Sequence, residues 1–298
     1  MIMKRLAKDL PAINADTLFH FTPSFSVLKK ILSSGIRFSY SVENPLDCTN
    51  PGVAIPMVSF CDIPLSKTSR HARKYGSYCI GFNKEFLLDL YNPILNPIIY
   101  LESNNLIQSL SDLFSMQEKV HSKFMSDMIS LVSKPEIQEK AKDLSDEELK
   151  SYMNQILDEN GINENNDLDF SKKFILGLLK PTYSDQGYCY FNEREWRAFY
   201  MHDYRNAPWI WDCESLSKED RKKLNDSVAT LDDGFITIPN DWFHMINYII
   251  VKKESQILPL IRYIVKTKRL FGNDIVGAEQ RLFLISRITS FERLNADI

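Results

Sequence analysis

Long apolar runs are missing from this sequence. No stretch approaches the roughly 20 apolar residues that a transmembrane helix requires, and residues 1–5 lead into mixed sequence without the apolar core of a signal peptide. We therefore expect a cytoplasmic protein that has no membrane partner.

Cysteine is scarce and scattered. The five cysteines form no Cys-x-x-Cys pair and have no histidine at ligand spacing, which indicates neither a zinc site nor a disulfide framework. We expect no metal cofactor. Cys61 and Cys79 lie in apolar runs and are interpreted as small buried residues.

An excess of positive charge is also missing, since the net charge is -3. This net charge argues against electrostatic binding of nucleic acid by the protein as a whole. The charge is uneven, however: residues 103–169 hold 14 acids against 6 bases, and residues 249–298 hold 9 bases against 5 acids. The basic tail leaves room for a local phosphate-binding surface, and two ordinary solvated faces are the alternative.

Short strands and helices alternate outside the middle of the chain, which can bury one large core or two modest ones. A helix is expected to begin at Thr22-Pro23 and to end at Gly35. Further helices are expected over 66–75, from Ser217, and over 254–266. Strands are predicted at residues 17–21, 36–40, 53–61, 78–82, 98–100, 188–200, 234–238, 248–251 and 281–288.

The middle of the chain has helical periodicity. A long amphipathic helix is predicted to end before Pro135, a second opens at Ser145 with Glu148 as its capping-box partner, and a third runs over about 170–180. The sequence thus predicts an α+β fold, with one domain over 1–298 and a helical insertion at 103–180. The acidic insertion serves either solubility or the docking of a partner.

Two carboxylates stand out in the predicted strand at 188–200. On an extended strand Glu193, Glu195 and Arg197 share one face. Carboxylates held roughly 7 Å apart on a strand suit chemistry at a glycosidic carbon, where positive charge develops on a sugar ring. The alternative is a solvated strand face.

Three upstream segments add to this motif. Residues 18–22 place His20 among aromatics, residues 57–66 place Ser59 inside a strand, and residues 71–82 place bases and tyrosines before a strand. Each segment also has an interpretation without a functional role. In the first, His20 is satisfied by a backbone partner; the second is a core strand with a turn; and the third is a solvated helix end.

Taken in order, these segments resemble ADP-ribosyltransferases of the His-Tyr-Glu kind. Residues 18–22 with 31–35, and residues 56–66, are similar more specifically to the AbiGi-like abortive-infection family, and the first motif also resembles DarT- and CmdT-like toxins. The resemblance covers 17–100 and 186–265. It implies an ADP-ribosyltransferase-like split antiparallel β-sheet core.

By this resemblance NAD is the co-substrate. His20 and Thr22 hold its adenosine-side ribose and nicotinamide amide region, and Ser59 supports the first strand. Glu195 binds the 2'-hydroxyl of the nicotinamide ribose and stabilises the oxocarbenium-like transition state. Glu193 helps to orient the attacking group.

The resemblance also implies an aromatic partner for the nicotinamide ring. Tyr75, Tyr78 and Tyr40 all stay open for this role. Arg73 or Arg70 neutralises the pyrophosphate. The predicted cofactor-binding set further includes the aromatic neighbours Phe21 and Phe60.

The leading hypothesis is a mono-ADP-ribosyltransferase toxin of a toxin-antitoxin or anti-phage system. Its acceptor is nucleic acid, with RNA such as mRNA favoured over DNA and single strands favoured because the target base must be unstacked. Trp209 and Trp211, with the basic tail, offer stacking and phosphate contacts. A cognate antitoxin is the expected protein partner.

Two alternatives use the same residues. AbiGi-like proteins have been described as the antitoxin half of a defence pair, so a non-catalytic antitoxin or sensor that keeps the fold is the first. The second is an NAD glycohydrolase, in which water is the acceptor.

Overall fold

The structure, a computed structural model, divides the chain into two compact units. One contains Met1–Tyr100 and Lys180–Ile298, and the other contains Leu101–Leu179. The predicted insertion at 103–180 falls on the second unit, except for Lys180. The structure describes residues 15–43, 53–91, 94–101, 125–141, 144–159, 177–183, 187–200, 209–210 and 216–296, with isolated positions between 109 and 123 and at 175.

One mixed sheet organises the first unit. The strands are β1 (Thr17–Thr22), β2 (Ile36–Arg37), β3 (Ser39–Glu43), β4 (Val53–Cys61), β5 (Tyr78–Asn83), β6 (Leu95–Pro97), β7 (Ile99–Leu101), β8 (Leu179–Pro181), β9 (Glu195–Phe199), β10 (Phe235–Ile236), β11 (Ile246–Val251) and β12 (Ile288–Ser290). The order across the sheet is β12-β11-β5-β1-β4-β9-β6, with β3 beside β4. Neighbouring strands of this sheet are antiparallel, except that β11 and β12 are parallel. Separate two-stranded sheets join β10 to β2 and β7 to β8.

Helices accompany the sheet in the first unit, and the described residues of the second unit are mainly helical. The fold is therefore α+β with a mixed sheet. The helices with defined ends are α1 (Phe25–Ser34), α2 (Leu65–Tyr75), α3 (Lys84–Tyr91), α4 (Pro135–Ala141), α5 (Asp146–Glu159), α6 (Lys218–Val228), α7 (Ile257–Lys266), α8 (Ala278–Ser286) and α9 (Phe291–Ala296).

The central strands bring the sequence motifs side by side. Strand β1 lies between β5 and β4, with Phe19 opposite Cys61. Strand β4 in turn pairs with β9, where Ser59 lies opposite Arg197 and Cys61 lies opposite Glu195. Three motifs that are far apart in the chain therefore occupy adjacent strands.

Two apolar clusters cover the two faces of the sheet. The larger contains Leu18, Phe60 and Ile80. The smaller contains Phe19 and Cys61. Successive side chains on β1 and β4 thus go to opposite faces, as the period of a strand requires.

The first helix starts later than the sequence predicts. Ser24, not Thr22, is its N-cap, and its Oγ accepts a hydrogen bond of 3.3 Å from the backbone N–H of Val27. Thr22 is the last residue of β1, where it pairs with Tyr78. The pairing of β1 with β5 therefore keeps Thr22 in the strand, and the helix begins after it. Gly35 ends the helix with φ 93°.

Several other predicted elements are wrong in type or extent. Most of the predicted strand at 281–288 is helix α8, in which Leu284 is buried and Leu282 is exposed. The predicted strand at 36–40 is divided between β2 and β3, and helix α3 was not predicted. The predicted helix over 170–180 ends in β8, because Leu179–Pro181 pairs with β7. Short apolar runs do not distinguish strand from helix when their tertiary partners are unknown.

The described residues of the second unit are mainly helical, and Leu131, Ile137 and Ile156 form a small apolar cluster there. The capping box before α5 forms as predicted on one side: the backbone N–H of Ser145 donates to Glu148 Oε2 at 3.0 Å. Most apolar positions of the predicted long first helix lie outside the described residues, as does Trp211.

The glycine after α2 is expected to be essential for stability. Gly76 has φ 121°, and a Cβ there would lie 2.3 Å from the carbonyl oxygen of Thr22. We expect Gly76→Ala to lower the free energy of unfolding by about 2–4 kcal/mol, through backbone strain and a clash that no side chain can relieve. Urea denaturation measures this loss.

Gly187 provides the matched control. It also has positive φ, 74°, but no described atom lies within 4 Å of the position of its Cβ. Gly187→Ala should therefore lower the free energy of unfolding by only about 1 kcal/mol, the cost of holding a residue with a Cβ at positive φ. Equal losses for the two variants would contradict this explanation.

Candidate active site

A cleft of about 290 Å³ opens on the face of the sheet where β1, β4 and β9 meet, beside helix α2. It is rich in ionisable groups. Its lining residues are His20, Phe21, Ser41, Glu43, Met57, Ser59, Cys61, His71, Tyr75, Lys180, Glu193 and Glu195.

The sequence predicts that Glu193 and Glu195 lie on one strand. The structure places them on different elements. Tyr190–Glu193 forms a 3₁₀ turn, and Arg194 has left-handed backbone angles, φ 45° and ψ 51°. Only at Glu195 does β9 begin. The kink at Arg194 changes the chain direction, so that both carboxylates face the cleft although they belong to different elements.

Glu195 is buried and heavily bonded. Ser59 Oγ donates to its Oε1 at 2.8 Å, and Lys180 Nζ donates to its Oε2 at 2.8 Å. Arg197 Nε also donates to Oε1 at 2.8 Å. Burial opposes ionisation, but the charges of Arg197 and Lys180 outweigh it and lower the pKa of Glu195 to about 2. Glu195 is therefore an anion at neutral pH.

Arg197 is the fully buried cation of the site. Its side chain is 0% exposed, and it bridges Glu195 on its own strand to Glu43 Oε2 on β3 at 2.6 Å. Burial opposes its charge, yet the two carboxylates raise the pKa of Arg197. The sequence motif identified Glu195 and Arg197 as residues on one face, and the structure joins them directly.

Glu193 lies at the other side of the cleft. Its carboxylate accepts hydrogen bonds from Lys180 at 2.8 Å, from Lys74 at 2.9 Å and from the hydroxyl of Tyr75. Burial opposes ionisation, but Lys180 and the other donors lower the pKa of Glu193. Burial and the bond to Glu193 raise the pKa of Tyr75, which stays a neutral donor.

His20 connects β1 to the neighbouring strand. Its Nδ1 lies 2.9 Å from the backbone carbonyl oxygen of Ser59, and a carbonyl only accepts, so Nδ1 carries the proton. Burial lowers the pKa of His20. At neutral pH the imidazole is therefore uncharged, and Nε2 holds a lone pair.

A thiol and an imidazole form a second pair in the cleft. Cys61 Sγ lies 2.9 Å from His71 Nε2, and both residues are buried. Burial raises the pKa of Cys61 and lowers the pKa of His71 to about 4. The pair is therefore neutral. The His71 ring stacks on Tyr75, with 4.4 Å between centroids, which orients the tyrosine.

Six of the ten predicted site residues line the cleft: His20, Phe21, Ser59, Tyr75, Glu193 and Glu195. The other four, Thr22, Phe60, Arg73 and Tyr78, do not.

Each of the four has a physical reason for lying elsewhere. Phe60 follows Ser59 on β4 and therefore packs into the opposite face against Phe82. Tyr78 lies in the larger apolar cluster, where its hydroxyl accepts from Gln256 at 2.8 Å. Thr22 is buried at the end of β1, and Arg73 is exposed on α2.

Other predicted candidates also lie in the core. Tyr40, the third candidate for stacking, is buried in the larger cluster, and burial raises its pKa to about 12. Trp209, proposed to stack on bases, is buried against Phe199. Of the three tyrosines, only Tyr75 lines the cleft.

Sequence reasoning missed several lining residues. Lys180 stands at the end of a predicted helix, Glu43 lies in none of the motifs, and His71 belongs to a basic segment. A lone lysine in the apolar run 176–181 is a weak signal at most. Their roles depend on contacts between distant parts of the chain.

Two features of the described residues bear on cofactors and membranes. No group of three or more histidine, cysteine, aspartate and glutamate side chains there is arranged to hold a metal ion. Within the part of the chain that the structure describes, every helix is too short or too polar to span a bilayer.

The protein is thus an α+β protein with a mixed sheet and a cleft lined by ionisable side chains. Comparison with known proteins identifies its family. Residues 46–232 match the family model described as "Putative abortive phage resistance protein AbiGi, antitoxin". The chain belongs to this family. It is 26% identical over 255 residues to the abortive phage resistance protein AbiGi of Lactococcus lactis subsp. cremoris, covering 82% of this chain and 88% of that protein. No solved structure matches. Membership supports a role in phage resistance.

The buried arginine should be far more important for stability than an exposed one. Arg197→Met leaves Glu195 and Glu43 without their shared cation, and we expect it to lower the free energy of unfolding by about 3–5 kcal/mol. Arg293 is a matched control, because it pairs with Glu254 while its side chain is 56% exposed. Arg293→Met should cost less than about 1 kcal/mol in the same urea titration. Similar losses would contradict the role assigned to Arg197.

The depressed pKa of Glu195 makes stability depend on pH. Its pKa is lower in the folded state than its ordinary value of 4.5, so its contribution is present above that value and is lost as pH falls toward about 2. From about pH 5 to about pH 2 we expect a loss of up to about 3 kcal/mol from this group. Chemical denaturation across this range should give a shallower dependence for Glu195→Gln. Parallel curves for the two proteins would be evidence against the pairing.

Proposed function

We propose that the cleft binds NAD and transfers its ADP-ribosyl group, on an ADP-ribosyltransferase-like fold. One observation carries this proposal: His20, Ser59 and Glu195 stand on three adjacent strands and are joined by hydrogen bonds of 2.9 and 2.8 Å. They are residues of the His, Ser and Glu motifs that the family resemblance selects, and Tyr75 lies beside them.

The chemistry needs a fixed anion beside a sugar carbon. When the bond between the ribose C1' and the nicotinamide nitrogen breaks, the electron pair leaves with nicotinamide and positive charge develops on the ribose. Glu195 is ionised at neutral pH and is held by Ser59 and Arg197, so it stabilises this charge without reorganising. The acceptor then bonds to C1' and loses a proton.

The remaining lining residues suit the nicotinamide end of the dinucleotide. The cleft of about 290 Å³ lies just below the usual range for ligand pockets, roughly 300–1,000 Å³, so it has room for one end of the dinucleotide. The neutral His20 offers a lone pair at Nε2 to a hydroxyl or amide donor. Tyr75 offers an aromatic face, and its hydroxyl holds Glu193, which is the candidate for orienting the acceptor.

A nucleic acid, with RNA preferred, is the proposed acceptor. Helix α2 lines the cleft and carries the exposed bases Lys67 and Arg73 on its surface. Before β9, Tyr188 and Phe191 are 39% and 52% exposed. Bases beside exposed aromatics are the combination that binds single strands through phosphates and stacking. Such an enzyme would act as a toxin, restrained by a cognate antitoxin.

A second candidate is a non-catalytic antitoxin or sensor. The description of the family model uses the word antitoxin, and the Glu195 carboxylate already has donors on both oxygens, including Lys180. A binding protein with this fold would neither consume NAD nor harm the cell. An NAD glycohydrolase is a third candidate and would release free ADP-ribose.

Labelled NAD tests these candidates. We expect the purified protein to attach label to RNA or DNA, and Glu195→Gln to lower the rate by at least about 100-fold because the transition-state cation loses its anion. Electrophoresis of the nucleic acid after protease treatment measures the label. Glu219→Gln, the same change at an exposed position on α6, should label at the wild-type rate.

Three other outcomes discriminate. Labelling by folded Glu195→Gln at the wild-type rate would exclude the proposed role of Glu195. Free ADP-ribose without labelled acceptor would identify the glycohydrolase. Intact NAD, together with harmless expression of the protein alone, would favour the antitoxin. Circular dichroism confirms that each variant is folded.

A further inference from the structure

Lys180 occupies an unusual position in the cleft. It is the first residue of the chain after the second unit, and it lies on β8, outside the main sheet. Its Nζ is 2.8 Å from Glu193 and 2.8 Å from Glu195, and the ammonium lies 4.5 Å from the centre of the Tyr190 ring. Its side chain is only 14% exposed.

The bonds of Glu195 show which contact a ligand would replace. A carboxylate offers about four lone-pair directions. Ser59 and Arg197 Nε use Oε1, while Lys180 uses Oε2 together with a longer bond of 3.3 Å from Arg197. Ser59 and Arg197 belong to the sheet itself. The lysine reaches the carboxylate on a flexible side chain from another sheet.

The charges of this network balance only when Lys180 is included. Three anions and three cations are linked by hydrogen bonds and ion pairs: Glu43, Glu193, Glu195, Lys74, Lys180 and Arg197. If the ammonium moved away, the network would carry one excess negative charge in a partly buried cleft, and such a site attracts a cation.

We propose that Lys180 is an internal counter-ion in the subsite between Glu193 and Glu195, and that the cationic nicotinamide end of NAD binds by displacing its ammonium. This inference rests on the proposed function and adds a condition to it. The resting cleft is closed by its own lysine. A ligand that brings one positive charge restores the balance that the departing lysine removes.

Stable NAD analogues test the displacement. Carba-NAD keeps the cationic ring but cannot lose it, and its reduced form has nearly the same shape without the charge. We expect Lys180→Met to bind carba-NAD about tenfold more tightly than wild type, since the ligand no longer breaks the charge-assisted bonds of the lysine. The gain should be smaller for the reduced form. Isothermal titration calorimetry measures both.

Two variants serve as controls. Lys180→Arg keeps a cation in the subsite, so its affinity should stay within about threefold of wild type, the spread expected for such local changes. Lys84 is a lysine that pairs with Asp62 at 2.5 Å, and it does not line the cleft. Lys84→Met loses a comparable ion pair, and its affinity should equal that of wild type.

The outcomes separate this inference from the proposed function. If wild type binds carba-NAD as tightly as Lys180→Met, or more tightly, Lys180 is not displaced by the ligand and this inference is wrong, while the proposed function stands. If neither protein binds the analogue, the proposed function fails and the displacement falls with it. Equal gains for the two forms of the analogue would refute the charge argument.

A measurement on wild type covers the case in which Lys180→Met does not fold. Acetylation rates of individual lysines, followed by mass spectrometry, should show Lys180 reacting slowly and the exposed Lys218 reacting quickly. Saturating carba-NAD should accelerate the acetylation of Lys180 and leave that of Lys84 unchanged. Bound analogue without this acceleration would overturn the proposal.

Discussion

The buried ion pair between Arg197 and Glu195 is the interaction on which the site depends. Arg197 is fully buried and links Glu195 on β9 to Glu43 on β3, so one guanidinium fixes two carboxylates across the sheet. Removing either partner would leave the buried charge network with one charge in excess. The same pair keeps Glu195 ionised and oriented toward the cleft, which connects the stability of the fold with the chemistry of the site.

The sequence predicts those parts of the fold whose signal is local. Strand β4 is found over Val53–Cys61, as predicted, because its long apolar run is buried on both faces. Strand β1 is also found where its short apolar run predicts it, and helix α6 begins after its predicted cap, Ser217, whose side chain accepts from the backbone N–H of Asp220. The prediction for 281–288 is wrong because a short apolar run does not distinguish a strand from a helix. Leu282 and Leu284 would share one face of a strand, but on helix α8 Leu284 is buried and Leu282 is exposed.

In the site too, residues with a local sequence signal are predicted, and residues that depend on tertiary contacts are not. His20, Ser59 and Glu195 belong to recognisable motifs, and each of them lines the cleft. Lys180 and Glu43 carry no motif, and their roles arise from approaches between residues distant in sequence. The turn before β9 is also beyond prediction, since the left-handed angles of Arg194 lie in a region that few residues other than glycine adopt.

A charged network of this kind is weak evidence for stability and better evidence for a function of the cleft. Apolar side chains of similar volume often stabilise an interior as well as a buried ion network does, because desolvation offsets much of the attraction between charges. In this chain the network opens into a cleft, and one of its cations, Lys180, is held by a flexible side chain. A carboxylate whose counter-ion can leave is poised to bind a cation. The proposed enzyme and the proposed non-catalytic antitoxin would both use that property to hold a cation, so the charge balance of the cleft is compatible with either function.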